Sequence, residues 1–144
     1  MELKLEVVVV PVSDVDRAKQ FYVEALGFRM DVDHSSETYE GGLGFRYRGA
    51  PRYRIVQLTP PGSGCSIGMG TGLPAYEDMT PGSIKALHLV VPDIEQARAE
   101  LAARGVDIGP VQDVGGGVKY AGFSDPDGNT LTLQEMAWRR GDSF

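Results

Sequence analysis

Cysteine is nearly absent: Cys65 is the only one in 144 residues, which excludes an internal disulfide and agrees with a reducing compartment. Basic residues are in the minority, 14 Lys and Arg against 20 Asp and Glu, for a net charge of −6. A phosphate backbone is repelled on average by such a chain, so nucleic acid is not an expected partner. Long apolar runs are missing too. The longest, Val7 to Val12, falls far short of the roughly 20 residues that span a bilayer, and no membrane partner is expected. The opening Met-Glu-Leu-Lys has neither the basic stretch nor the small-residue cleavage site of a signal peptide, so a cytoplasmic location is expected. What is present, 42% hydrophobic and 24% charged residues, fits one compact domain and argues against disorder.

The pattern along the chain repeats. Residues 4 to 12, KLEVVVVPV, read as a strand buried on both faces, and Ser13-Asp14 opens a helix. In it Val15, Ala18, Phe21, Tyr22, Ala25 and Leu26 recur at steps of three and four, and Gly27 stops it. Lys85 to Val91 is again strand-like. Asp93 opens a second helix with Ile94, Ala97 and Leu101 on one face, and Gly105 ends it. Asp93 with Gln96 three residues on predicts a reciprocal cap, each side chain taking a free backbone N–H. A shift of 79 residues, from Asp14 to Asp93, also lays Val7 on Ala86, Val12 on Val91, Val15 on Ile94 and Ala18 on Ala97. Short strands follow each helix: near Phe28–Val32, Leu43–Tyr47, Tyr53–Thr59 and Cys65–Met69, then near Val106–Pro110, Val118–Phe123 and Thr130–Glu135. Asp125-Pro126-Asp127-Gly128 has the residues of a type I turn. The prediction is an α+β chain of two βαβββ modules, residues 4–70 and 84–137, joined by a linker over 71–83.

The opening VVVVPVSDVDRAKQFYVEALGF, the closing DPDGNTLTLQE and the two-module pattern together resemble the glyoxalase, bleomycin-resistance and extradiol-dioxygenase superfamily, the vicinal oxygen chelate proteins, over residues 4 to 137. That resemblance implies that each module curls its sheet into a half-barrel with helices on the convex side and a ligand cavity on the concave side. In metal-dependent members one ligand comes from each of four strands, and the matching positions here are Val7, Gln57, Ala86 and Thr132. The family has His, Glu or Gln there, and this chain departs from it at three of the four. Valine and alanine have no lone pair to donate, and two neutral oxygens do not replace a divalent ion's hydration. A metal-free cavity with no cofactor is expected. A register off by two would bring His88 near the metal position, whereas Val9 is no better than Val7.

Side chains alternate along a strand, so Ala86 goes with His88, Gln57 with Ile55 and Tyr53, and Thr132 with Thr130 and Gln134. If that face is the cavity, its polar points are Tyr53, Gln57, His88, Thr130, Thr132 and Gln134 among valines and isoleucines, a lining suited to an organic ligand with apolar bulk. His88 is either an acid/base or a core histidine satisfied by a neighbouring carbonyl or by Gln134. His34, after Asp31-Val32-Asp33 and before Ser35-Ser36, reads as a solvated loop residue. Cys65 reads as a small packed hydrophobe. Gly68-Met-Gly-Thr-Gly72 has the look of a phosphate loop, but no helix is predicted to begin after it to supply the N–H groups. Gly115-Gly116-Gly117 is a turn or an adaptable lid. Arg46, Arg48, Arg52 and Arg54 form a solvated basic face or a receptor for an acidic group. Trp138 and Phe144 leave large apolar groups near the end of the chain, and relatives of this architecture commonly pair, so a homodimer is expected.

Three functions follow. One is a metal-free binding protein for a hydrophobic or aromatic small molecule. Another is a metal-independent isomerase or lyase using His88. The third, a metal-dependent lyase or dioxygenase, is invited by the resemblance and opposed by the residues.

Overall fold

The computed structural model describes residues 1–36 and 53–139. The strand expected over Leu43–Tyr47, the residues Arg46, Arg48 and Arg52, and Phe144 lie outside them. The chain separates into two compact units, Met1–Pro81 and Gly82–Phe144. The first holds β1 (Val7–Val9), α1 (Val15–Gln20) running into a π-helical segment (Phe21–Ala25), β2 (Arg29–Ser35), β3 (Arg54–Thr59), β4 (Ser66–Thr71) and a one-turn helix α2 (Pro74–Glu77). The second holds β5 (Leu87–Val90), α3 (Ile94–Ala103), β6 (Gln112–Gly115), β7 (Val118–Ser124) and β8 (Thr130–Met136). Each makes an open four-stranded mixed sheet, in the orders β1-β4-β3-β2 and β5-β8-β7-β6. In both, the first strand runs parallel to the last and the remaining pairs are antiparallel. The two units are α+β modules of the same βαβββ pattern.

Local chemistry sets the helices. Asp14 and Asp93 are in extended backbone and accept from Arg17 N at 3.1 Å and Gln96 N at 3.0 Å. The reciprocal half of the second cap does not form, because Gln96 Nε2 donates to Glu100 one turn on instead. α3 ends in a Schellman arrangement: Gly105 has φ 87°, its N–H bonds Ala102 O, and the Val106 N–H bonds Leu101 O. The first helix carries one more residue between cap and glycine, 13 positions from Asp14 to Gly27 against 12 from Asp93 to Gly105. An extra residue in a helix of fixed ends widens one turn, and the bond from Leu26 N back to Phe21 O is of that π type.

One face of each sheet packs under its helix. In the first module Val56 and Leu58 lie opposite Met69 and Ile67, and all four are buried with Val15, Ala18, Tyr22 and Phe28. The Tyr22 ring meets those of Phe21 and Phe28 at 5.2 and 5.4 Å. In the second, Ala121 and Phe123 oppose Leu133 and Leu131, buried with Ile94, Leu101, Val106 and Ile108. Each such Val, Leu, Ile, Phe or Met side chain contributes about 1.5–3 kcal/mol.

Four expectations need correction. No strand forms over 106–110. The carbonyls of Ile108 and Gly109 accept from the Arg98 guanidinium at 3.3 and 2.6 Å, and Pro110 has no N–H for a ladder. The strand there is Gln112–Gly115, which leads through the glycine turn into β7. β5 begins only at Leu87, because Ala86 has φ 56° and its N–H goes to Thr130 Oγ1 at 2.6 Å. A helix does begin after the Gly68–Gly72 run, where none was expected, although α2 from Pro74 is a single turn. Finally, β2 runs on to Ser35 and so places His34 on a strand.

Candidate functional site

The second face of each sheet carries the mixed polar and apolar side chains. In the second module, register sets His88 opposite Thr132 and Val90 opposite Gln134. Across β8, Thr132 faces Gly122 and Gln134 faces Tyr120. Directly paired residues share a face, so His88, Thr132, Gln134 and Tyr120 stand together. The His88 and Tyr120 rings approach edge to face, centroids 5.6 Å apart. His88 is exposed, and Thr132, Gln134 and Tyr120 are half-buried.

The tautomer of His88 follows from its partner. Nδ1 lies 2.7 Å from the Ala86 carbonyl oxygen. A carbonyl only accepts, so Nδ1 carries the proton, and in the neutral ring Nε2 keeps its lone pair. The positive φ of Ala86 aims that carbonyl back at the ring, and Thr130 accepts the Ala86 N–H. Thr130 thus supports the turn that orients His88.

In the first module the corresponding face carries Val7, Val9, Ile55, Gln57 and Val32. Gln57 stands opposite Gly68 and Val32, and Ile55 opposite Gly70 and His34. His34 therefore shares this face, its ring 5.9 Å from that of Tyr53. Tyr76 of α2 lies on it too: a Cβ built at Gly68 would come 3.9 Å from its Cε1, and one at Gly70 3.1 Å from its Cδ2. Gly68 and Gly70 are thus strand surface under a tyrosine. At the far end of the sheet, Thr59 hydrogen-bonds Asp31, and its Oγ1 lies 2.7 Å from Ser66 Oγ. The Thr59 hydroxyl and then Arg29 hold the Asp31 carboxyl below its ordinary range.

Arg54 is on the opposite, helix-bearing face. It donates to Asp33 at 2.9 and 3.0 Å and to Asp16 of α1 at 2.7 Å, while Lys19 reaches Asp33 at 2.7 Å. Arg54 and then Lys19 hold the Asp33 carboxyl well below the usual carboxylate range, and Asp33 holds Arg54 more firmly protonated. Arg54 thus ties α1 to the sheet and is not turned toward the face that carries Gln57. Cys65 is half-buried beside β4, its thiol 3.6 Å from Ser66 O.

Sequence reasoning assigned no site role to Tyr76 or Tyr120. Tyr120 follows once the register sets it opposite Gln134, and no local signal in the sequence marks Tyr76.

The four positions matched to family metal ligands do not make a cation site. Val7 and Ala86 offer no donor atom, and Gln57 and Thr132 offer neutral oxygens. His88, rather than Ala86, is the residue level with Thr132, which adds one nitrogen and no charge. Among the described residues no three His, Cys, Asp or Glu side chains gather to hold a metal, and no buried side-chain N or O lacks a hydrogen bond. The residues present do not fit a catalytic divalent ion.

Comparison with solved structures finds the whole architecture elsewhere. TnmS3, an antibiotic binding protein from Streptomyces sp. CB03234, is 30% identical with TM-score 0.73, over 94% of this chain and 98% of that one. A glyoxalase/bleomycin resistance protein from the same strain is 32% identical, TM-score 0.67, over 90% and 98%. A superfamily member from Sphaerobacter thermophilus DSM 20745 is 31% identical, TM-score 0.64, over 93% and 98%. No curated protein matches the chain. The pattern of the Glyoxalase/Bleomycin resistance protein/Dioxygenase superfamily matches residues 4–133, and with the repeated βαβββ modules this establishes that the chain belongs to that superfamily.

Proposed function

We propose that this chain is a metal-free binding protein that captures an aromatic, antibiotic-like small molecule. The observation that carries the reading is the chemistry of the two open sheet faces. Where the metal-dependent proteins it resembles have His, Glu or Gln, this chain has Val7, Ala86 and Thr132, and only Gln57 keeps the pattern. The polar groups there include the neutral hydrogen-bonding side chains of Tyr53, Gln57, Thr132, Gln134 and Tyr120, with the imidazoles of His34 and His88 beside them. Such a surface suits apolar area with scattered carbonyl or hydroxyl groups. The 30% identity to an antibiotic-binding protein supports the same class of ligand. We further propose that the two modules work as one domain, in the cytoplasm, and that two chains associate.

The test is a calorimetric titration of chelator-treated protein with a panel of polycyclic aromatic antibiotics, followed by chromatography of the recovered ligand. Saturable binding of at least one compound, recovered unchanged, is expected. Conversion of a bound compound to product would replace this reading.

One observation favours a metal-independent isomerase as the second reading. With Nδ1 tied to Ala86 O, Nε2 of His88 is a pre-oriented base. It can take a proton from carbon next to a carbonyl and return it at another carbon, a balanced isomerisation. Turnover abolished by His88→Ala with ligand affinity kept would establish it.

A further inference from the structure

We infer that the backbone of β4 at Gly68 and Gly70 is an aryl-binding subsite, which the chain fills with its own Tyr76 ring and which a planar aromatic ligand enters by displacing that ring. The inference rests on the binding reading above and specifies where, and with what chemistry, one ring of the ligand docks.

Glycine weakens a strand interior, and it recurs where another group must approach the backbone closely. Gly68 and Gly70 are two apart, hence on one face, and that face is the one carrying Gln57 and Ile55, which stand opposite them on β3. A Cβ at Gly68 would come 3.2 Å from Val7 Cγ2 and 4.0 Å from Tyr76 Oη, and one at Gly70 would strike the Arg54 carbonyl oxygen. The two glycines thus make a flat floor walled by Val7, and the object resting on it is a phenol ring. The half-buried Gln57 carboxamide lies beside that floor and can bond a hydroxyl or carbonyl on an incoming ring.

The tether of Tyr76 is slight. α2 is a single turn, Leu73 gives it no side-chain cap, and the turn is entered through Gly72 at φ 79°. The Glu77 carboxylate accepts the Gly72 N–H at 2.7 Å and closes the turn on itself. One helical turn has little stability of its own, so the contact of the ring with β4 is a main part of what holds it. A ligand ring making the same contact takes its place once its concentration or its further contacts offset the advantage of the tether.

The experiment uses p-cresol, the tyrosine side chain as a free molecule, titrated into isotopically labelled wild type and Tyr76→Ala with the Gly68 and Gly70 amide signals as readout. In Tyr76→Ala both amides should shift saturably with one Kd, and binding to the wild type should be about tenfold weaker or more, because the tethered ring competes at high effective concentration. Cyclohexanol, similar in size but not planar, should bind the variant markedly less well than p-cresol. Absence of saturable shifts in the variant, equal affinity in wild type, or equal binding of cyclohexanol would overturn the subsite. Should Tyr76→Ala fail to fold, wild type labelled in its tyrosine rings decides. The Tyr76 ring signals must move together with the two amides, and amide shifts with a static Tyr76 refute displacement. Loss of the p-cresol site with antibiotic binding intact sinks the subsite alone, whereas the reverse sinks the proposed function alone.

Discussion

His88 and Asp33 show how single side chains are fixed by partners that sequence spacing does not reveal. The Ala86 carbonyl settles the His88 tautomer, so nitrogen NMR of the neutral ring should find the proton on Nδ1. Finding it on Nε2 would remove the oriented base from the second functional reading. Asp33 sits between Arg54 and Lys19, and its lowered pKa gives stability a direction in pH. The charged carboxylate favours the folded state in full above the unfolded pKa of about 3.9, and the benefit is lost as pH falls toward the folded value. Asp33→Asn should therefore cost about 1–2 kcal/mol at pH 7 in urea unfolding. The gap from wild type should narrow below about pH 4. A gap that widens in acid would contradict the assignment.

The helices and turns were the most legible elements, because their signals are local. Asp14, Asp93, Gly27 and Gly105 mark the ends where they occur. Asp125 closes its turn by accepting from Gly128 N, Asp127 N and Asn129 N. Asp93→Ala should lower stability by about 1 kcal/mol. Gly105→Ala should cost about 1–2 kcal/mol from its positive φ alone, since a Cβ there meets nothing within 4 Å. Thermal unfolding of both variants checks these values. What failed to read from sequence depends on contacts made across the chain. Val106 and Ile108 alternate like a strand, but Arg98 takes the carbonyls a neighbouring strand would need. Ala86 leaves the strand because Thr130, 44 residues away, takes its N–H. His34 read as a loop because polar neighbours hide the alternation that its pairing with Ile55 reveals. The glycines of β4 have the look of a phosphate loop, which the sequence already opposed, but their place beneath Tyr76 appears only in the fold.

At the scale of the molecule, duplication explains most of what was foreseen. The shift of 79 residues predicted two modules, and both have one strand order and one pairing pattern. The lining of each module's second face was partly foreseen by alternation: His88, Thr132 and Gln134 do share a face. Tyr120 and Tyr76 were missed because an aromatic next to glycine announces nothing until the register is known. Self-association also belongs at this scale. Trp138 is 61% exposed, and if it lies in the interface, Trp138→Ala should shift a sedimentation-velocity profile from dimer toward monomer. A wild type that sediments as monomer at every concentration would refute the pairing.

The central claim is that these faces bind an aromatic molecule through neutral side chains and without a cation. Its most direct measurement is the affinity of the purified protein for an aromatic antibiotic, taken after exhaustive chelation and again after adding back Zn, Ni, Mn or Fe(II). One unchanged Kd throughout is predicted. Binding that vanishes on chelation and returns with a particular ion would contradict it.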